Sequence, residues 1–261
     1  MKRIFSVKTV KAIFYFLCSM AIMGAIWEWI AHVTKNEIPS PRMTWDVLQE
    51  VMHNPMQNDP DYKGIGTKLL SSLARVGIGF GLGSLIAIPL GLIMGSSKVV
   101  MNLFNPLVQL LRPVSPLAWF PLGLAIFQDS PKASIFMIFI CSLWPTVINT
   151  AFGAANIPQD HKNVGKAFGF SVWKYISKIM LPYSLPHIFT GLRLSIGVAW
   201  MVIVAGEMLS GGIGLGYFVW EEGFNGGSVA KIIVAIIIIG IVGLILDKLF
   251  MSLQRKFSYA V

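Results

Sequence analysis

Six stretches of this chain are each too long and too apolar to belong to a water-soluble core. Residues 12–33, 69–95, 99–128, 133–155, 187–209 and 229–250 all reach the roughly 20 residues that cross a 30 Å hydrocarbon layer as a helix. In that layer each backbone N–H and C=O has to be satisfied within its own segment, so the expected fold class is all-α, an integral membrane domain of six transmembrane helices. Composition agrees: 55% of the 261 residues are hydrophobic and 13% are charged, against about 25% charged in soluble domains. Mean hydropathy is +0.69. The net charge of +9 is dispersed over short connections instead of clustering with aromatic residues, which suits contact with a lipid bilayer and gives no nucleic-acid surface. Cys18 and Cys141 lie inside apolar runs without a C-x-x-C partner, and His32, His53, His161 and His187 fall in separate segments. No metal site and no catalytic set is expected from them.

The first run follows a basic stretch and raises the question of a signal peptide. It is longer than a signal-peptide core and ends in Trp27, Trp29 and His32, an interfacial signature, so a retained helix is expected. Residues 34–67 are the most polar part of the chain and read as an external loop. Within them Trp45, Leu48, Val51 and Met52 mark a short helix with one apolar face. The third run contains Pro106, Arg112, Pro113, Pro116 and Pro121, so it must kink or split near residues 112–116.

Lysine and arginine in the connections set the orientation. Twelve (Lys2, Arg3, Lys8, Lys11, Lys98, Lys162, Lys166, Lys174, Lys178, Lys248, Arg255, Lys256) fall on one side and five (Lys35, Arg42, Lys63, Lys132, Lys231) on the other. Both termini are therefore expected in the cytoplasm, with the segment between spans four and five, residues 152–186.

Ionisable groups within apolar runs are costly and each needs an account. Arg193 can attract an anion at the inner half of a pore or snorkel to the headgroups. Arg112, at the proline break, can line a polar path or satisfy a helix end. Arg75 can anchor at the outer interface or pair with Glu207, and pairing is favoured. Gly77, Gly79, Gly81 and Gly83 recur at two-residue spacing, and Gly91 with Gly95 makes a G-x-x-x-G, which serves close packing or dimerisation. Without G-K-[ST] none of these is a phosphate loop.

The long inner loop reads Asn163-Val164-Gly165-Lys166-Ala167-Phe168-Gly169, nine residues, then Ile179-Met180-Leu181-Pro182. A helix ending at Gly169 and another over residues 172–180 would expose Phe168, Phe170, Trp173 and Ile176 as an apolar ridge, suited either to a partner's groove or to the membrane face. The stretch resembles the loop of bacterial ABC importer permeases, E-A-A-x-x-x-G, nine residues, I-x-L-P; Asn163, Val164 and Gly165 depart from its first three positions. The resemblance runs over residues 64–250 and includes Leu111-Arg112-Pro113-Val114-Ser115-Pro116-Leu117-Ala118-Trp119-Phe120-Pro121 and Ala205-Gly206-Glu207-Met208-Leu209. It is similar to the branch serving nitrate, nitrite, cyanate, bicarbonate, taurine and alkanesulfonates, with Asn156-Ile157-Pro158-Gln159-Asp160 nearest to nitrate and bicarbonate permeases.

The resemblance implies a type I importer permease fold acting as a homodimer in the bacterial inner membrane. Residues 1–63 would form an N-terminal helix and external loop, and residues 64–254 the permease domain with a coupling loop at 153–186. Its partners would be two ATP-binding subunits that hold ATP and Mg, with no cofactor in this chain, and an external substrate-binding protein or lipoprotein. Coupling would fall to Asn163, Gly165, Phe168, Gly169, Trp173, Ile179, Leu181 and Pro182. The candidate anion path is Arg112, Ser115, Trp119 and Arg193. Nitrate or nitrite is the expected cargo, with bicarbonate or taurine and alkanesulfonates as alternatives. A self-sufficient secondary transporter or channel would need acids for ion coupling, and only Glu28 and Glu207 lie near the membrane, toward its outer edge.

Overall fold

An apolar segment in lipid satisfies its backbone most completely by coiling on itself, and every run identified above is helical. The computed structural model describes residues 7–59, 63–225 and 227–258; Lys2 and Arg3 of the charge count, and Pro60 and Asp61 of the outer loop, lie outside the described residues. Five helices are long and apolar enough to cross a membrane: α1 (Val7–Val33), α3 (Ile65–Ser96), α6 (Ser130–Ala155), α9 (Leu181–Ser210) and α11 (Val229–Ser258). The third expected span is two helices, α4 (Lys98–Leu111) and α5 (Pro116–Phe127), bent by 99°. Shorter helices α2 (Pro41–Val51), α7 (Gln159–Ala167), α8 (Val172–Tyr175) and α10 (Leu215–Phe224) fill the connections.

Lipid chains are as apolar as leucine, so helices in a bilayer associate through close packing and hydrogen bonds. Along α3 a small residue returns every fourth position, Gly79, Gly83, Ala87, Gly91 and Gly95, which marks one helix face. That face lies on α6. A Cβ added at Gly79, Gly83, Gly91 or Gly95 would stand 2.4 to 2.7 Å from atoms of Ile138, Ser142, Thr150 or Ala151. The G-x-x-x-G of Gly91 and Gly95 is thus a seam within the chain, while Gly77 and Gly81 face open space.

The seam also fixes the topology. Its contacts rise together in number, Gly79 on Ile138 and Gly95 on Ala151, so α3 and α6 run parallel. The chain leaves α3 at the end of the bundle that carries α7 and enters α6 at the end that carries α2. Together, α4 and α5 must carry it across the full thickness. α9 returns antiparallel to α6, with Gly153 under His187, Gly191 against Thr146 and Gly206 against Met137. Buried polar contacts reinforce this pair: Thr146 and Ser195 share a hydrogen bond of 2.8 Å, and the Ser195 hydroxyl donates to the Ser142 carbonyl at 2.5 Å. Across α11, the Trp200 indole N–H donates to the Ile239 carbonyl at 2.9 Å, with Gly243 leaving room for the ring. Among the described residues the helices provide five spans, and six when α4 and α5 are counted as one crossing.

At the periphery, α1 buries only Ala31 among its described side chains. Its Trp27 indole donates to the Pro39 carbonyl at 2.9 Å, and Ser40 then caps α2 with its hydroxyl. The expected amphipathic helix in the outer loop is present, but its inner face is Thr44, Val47, Leu48 and Val51, turned toward α11. Trp45 and Met52 are exposed, because a helical face repeats at three and four residues and Trp45 is one step from Thr44.

The largest departure from expectation is at the fifth span. It begins at Val172 rather than near His187, and α8, a π-helical turn over Ile176–Met180 and α9 form one helical run of 39 residues. Pro182 and Pro186 lack N–H donors, which suggests a helix start. The widened turn before them, with Leu181 N–H donating to the Ile176 carbonyl, lets the run continue.

Candidate functional site

Three arginines stand within the apolar runs, and their surroundings differ. Arg75 on α3 donates from Nη1 to Oε1 of Glu207 on α9 at 2.8 Å. The Ser72 hydroxyl is 2.8 Å from both carboxylate oxygens, and the Gly216 N–H reaches Oε2 at 3.0 Å. The Glu207 side chain is 0% exposed. A carboxylate taken wholly out of water needs this number of donors. The turn into α10 wraps it closely: a Cβ at Gly214 would fall 2.2 Å from the Glu207 carboxyl carbon. The favoured pairing of Arg75 with Glu207 is present, and it ties α3, α9 and α10 together.

Arg193, expected either in the anion path or among headgroups, is held by a carboxylate. Its Nε and Nη2 donate to the two carboxylate oxygens of Asp247 on α11, at 2.6 and 2.8 Å. Such a two-pronged pair neutralises the cation and fixes its orientation. Asp247 is an acid within the last span that sequence reasoning missed. It was readable as a carboxylate embedded in residues 229–250, but the neighbouring Lys248 drew it into the basic tail.

Arg112 is the exception. Among the described residues no hydrogen bond or ion pair engages its side chain. It caps the end of α4, where its own N–H donates to the Val108 carbonyl at 2.9 Å. Pro113 follows and has no N–H to continue the helix, and Pro116 opens α5 in the first-turn position where a missing donor costs nothing. The bend leaves a cavity of about 300 Å³. Arg112, Ser115 and Trp119 line it with Cys141 and Trp144 of α6 and Val198 of α9. Three of the four residues expected on the anion path therefore meet in one space, and Arg193 is elsewhere. Trp144 and Cys141 lay in an uncharged span and carried no sequence signal.

The inner loop is a helical hairpin docked on the end of the bundle. α7 closes with both hydrogen bonds of a Schellman turn: Phe170 N–H to the Gly165 carbonyl at 2.9 Å and Gly169 N–H to the Lys166 carbonyl at 3.0 Å. Gly169 holds φ +60°, the left-handed conformation the turn requires. Gly165 is the close-contact glycine, since a Cβ there would sit 3.0 Å from the Tyr175 ring. Asn163 is exposed and accepts from the Gln159 amide at 3.1 Å. Ser171 caps the next turn, its hydroxyl accepting from Lys174 N–H at 3.4 Å.

The exposed ridge differs from expectation in membership. Phe168 is 73% exposed and Trp173 81%, joined by Val164 and Val172. Ile176 turns inward with Tyr175 and Ile179 onto the cluster of Ala154, Ile157 and Met180, and Phe170 is half-buried under the Lys174 ammonium. Leu181 is half-buried and Pro182 exposed where the run enters α9. His187 packs against Phe152, with ring centroids 5.2 Å apart. Among the described residues no three of His, Cys, Asp and Glu are grouped to hold a metal ion.

Against known proteins, residues 87–259 match the family model described as binding-protein-dependent transport system inner membrane component. The nitrate import permease protein NrtB of Synechocystis sp. is 39% identical over 237 residues, covering 90% of this chain and 86% of that protein. NrtB of Leptolyngbya laminosa is 46% identical over 197 residues, 73% of this chain and 70% of that one. The bicarbonate transport system permease protein CmpB of Synechococcus elongatus is 39% identical over 234 residues, 88% and 84% of the two chains. In three dimensions, an inward-facing structure of the MetNI methionine ABC transporter aligns with TM-score 0.67 at 14% identity, over 74% of this chain and 95% of that one.

Proposed function

The chain belongs to the family of inner membrane components of binding-protein-dependent transport systems, as the permease subunit of an ABC importer, and from that premise we propose that it carries a small inorganic anion of the nitrate type into the cell. The observation that carries the reading is Arg112, a guanidinium left without a carboxylate in a cavity at the break between α4 and α5. An uncompensated cation in a low-dielectric passage attracts anions and repels cations. Relatives named for nitrate import support that choice. Bicarbonate is the second reading, supported by CmpB at 39% identity.

Two copies of the chain would enclose the path in a type I arrangement, fed by an external binding protein. Two ATP-binding subunits, which hold the ATP and Mg, would seat the exposed ridge of Val164, Phe168, Val172 and Trp173 in a groove, the usual way an apolar helix edge docks. The end of the bundle that carries this ridge also gathers Lys98, Lys162, Lys166, Lys174, Lys178, Lys248, Arg255 and Lys256, which supports reading it as the cytoplasmic end, to which both termini would then belong.

The test is ATP-driven uptake by the complete importer in liposomes, with nitrate, bicarbonate and taurine compared. Nitrate is expected to accumulate. Arg112→Ala is expected to lower its uptake on the order of tenfold or more, through the lost local concentration of anion, while the complex still assembles. Uptake of bicarbonate or taurine in place of nitrate overturns the cargo, and equal loss of uptake and assembly returns Arg112 to a structural role.

A further inference from the structure

Between the inner hairpin and the end of α3 lies a cavity of about 400 Å³. Phe170, Tyr175, Ile176 and Met180 make most of its wall apolar, Ser96 at the end of α3 borders it, and Lys162 and Lys166 of α7 are the cations in its lining. The two lysines are one helical turn apart and share a flank of α7. Val164 and Phe168, part of the exposed ridge, fall on the opposite flank, because each residue turns the helix by about 100°. A partner that grips the ridge therefore leaves the lysines free to serve the cavity. Among the described residues no hydrogen bond or ion pair engages either lysine, and no acid lines the space.

Two cations beside an apolar hollow match an amphiphile. Inorganic phosphate would satisfy the ammonium groups and leave Ile176 and Met180 uncovered, whereas an anionic phospholipid fills both parts, its phosphate on the lysines and its first methylenes on the apolar wall. Location agrees. The Ser96 hydroxyl donates to the Ile93 carbonyl at 2.8 Å, which puts Ile93 one turn deeper on the same face, and Ile93 is exposed. An acyl chain leaving the cavity past Ser96 finds an apolar track along Ile93 into the hydrocarbon layer. The surrounding charge has the same sense: Lys98, Lys174, Lys178, Lys248, Arg255 and Lys256 gather at this end, against Asp160 and an Asp247 already held by Arg193. Basic surfaces at a membrane face concentrate anionic headgroups.

We propose that this cavity binds one anionic phospholipid, its phosphate on Lys162 and Lys166 and its chains against Ile176 and Met180, so that a lipid wedges the inner hairpin onto the end of the bundle. The inference rests on the reading of this end as the cytoplasmic one, and it adds a ligand that the import of an anion does not by itself require.

The complete importer is purified in detergent and titrated with phosphatidylglycerol or phosphatidylcholine, with and without excess inorganic phosphate, and bound lipid is counted by native mass spectrometry. The wild type is expected to hold one phosphatidylglycerol per copy of this chain, to hold phosphatidylcholine weakly, and to keep its lipid in phosphate. Lys162→Gln combined with Lys166→Gln is expected to weaken phosphatidylglycerol binding about tenfold, whereas Lys248→Gln combined with Lys256→Gln, the same charge removed from α11, should change it by less than about twofold. Ser96→Trp, which narrows the edge of the cavity and keeps both lysines, is expected to weaken binding as well, and it keeps the test in force if the first double variant does not fold. Equal retention of the two lipids, equal loss in the α11 variant, no loss in Ser96→Trp, or no bound lipid in the complete importer each overturns the proposal. Displacement by inorganic phosphate overturns it too, in favour of a free-anion site. The readout involves neither transport nor leaflet, so the readings beneath it fail separately: an active phosphatase fused after residue 258 would overturn the orientation, and absence of anion uptake the import.

Discussion

Arg75, Arg112 and Arg193 look alike in the sequence, each a lone cation in an apolar run, and only the fold separates them. Two are closed by carboxylates that arrive from 132 and 54 residues away, and a linear reading has no means of ranking such partners. Glu207 was legible as a partner for Arg75 because both fell near the same membrane edge. Asp247 was not, since the adjacent lysine hid it. The Glu207 carboxylate has no access to water, so its removal strands a guanidinium and a backbone N–H together. Glu207→Ala is expected to cost about 3–5 kcal/mol, seen as a lowered midpoint of thermal unfolding in detergent. Adding Arg75→Met should restore part of that loss. If the single variant unfolds like the wild type, the pair does not hold α3 to α9.

At the scale of elements, span existence and the proline break were legible because apolar length and missing N–H donors act locally. Two features escaped. Gly77 to Gly83 were read at two-residue spacing, whereas the working period is the four already read at Gly91 and Gly95, and Gly79, Gly83, Gly91 and Gly95 form the seam that α6 occupies. The start of the fifth span was set too late because Pro182 and Pro186 look like boundaries, and the π-helical turn at Ile176–Met180 removes that constraint. At Gly169 close packing is not the constraint. No atom lies within 4 Å of a Cβ built there, so what a side chain meets is the left-handed backbone itself. Gly169→Val is expected to strain the hairpin by about 1–3 kcal/mol and to loosen the ratio of transport to ATP hydrolysis, whereas Gly169→Asn, which tolerates this conformation, should stay close to wild type. Equal behaviour of the two variants would remove the backbone from the explanation.

For the whole molecule, the parallel seam of α3 and α6 requires the bent pair between them to cover the full thickness, which brings the crossings among the described helices to six. The described ends of α1 and α11, Val7 and Ser258, are then expected on the side of the α7 hairpin. Alkaline phosphatase fused after residue 258 is expected to be inactive and a fluorescent protein at the same point to glow, with the reverse result for fusions at residue 57. An active phosphatase at the C-terminus would mean an odd number of crossings. The count of spans was readable from hydropathy, whereas the parallel packing of α3 on α6, a long-range property, was not. The unbroken run from Val172 to Ser210 has a mechanical meaning as well. At 1.5 Å per residue it is about 58 Å long, well beyond the hydrocarbon layer, and α6 supports it at His187, Gly191 and Gly206 in turn. One strut held along its length therefore joins the exposed ridge at Trp173 to the buried bond between Glu207 and Arg75.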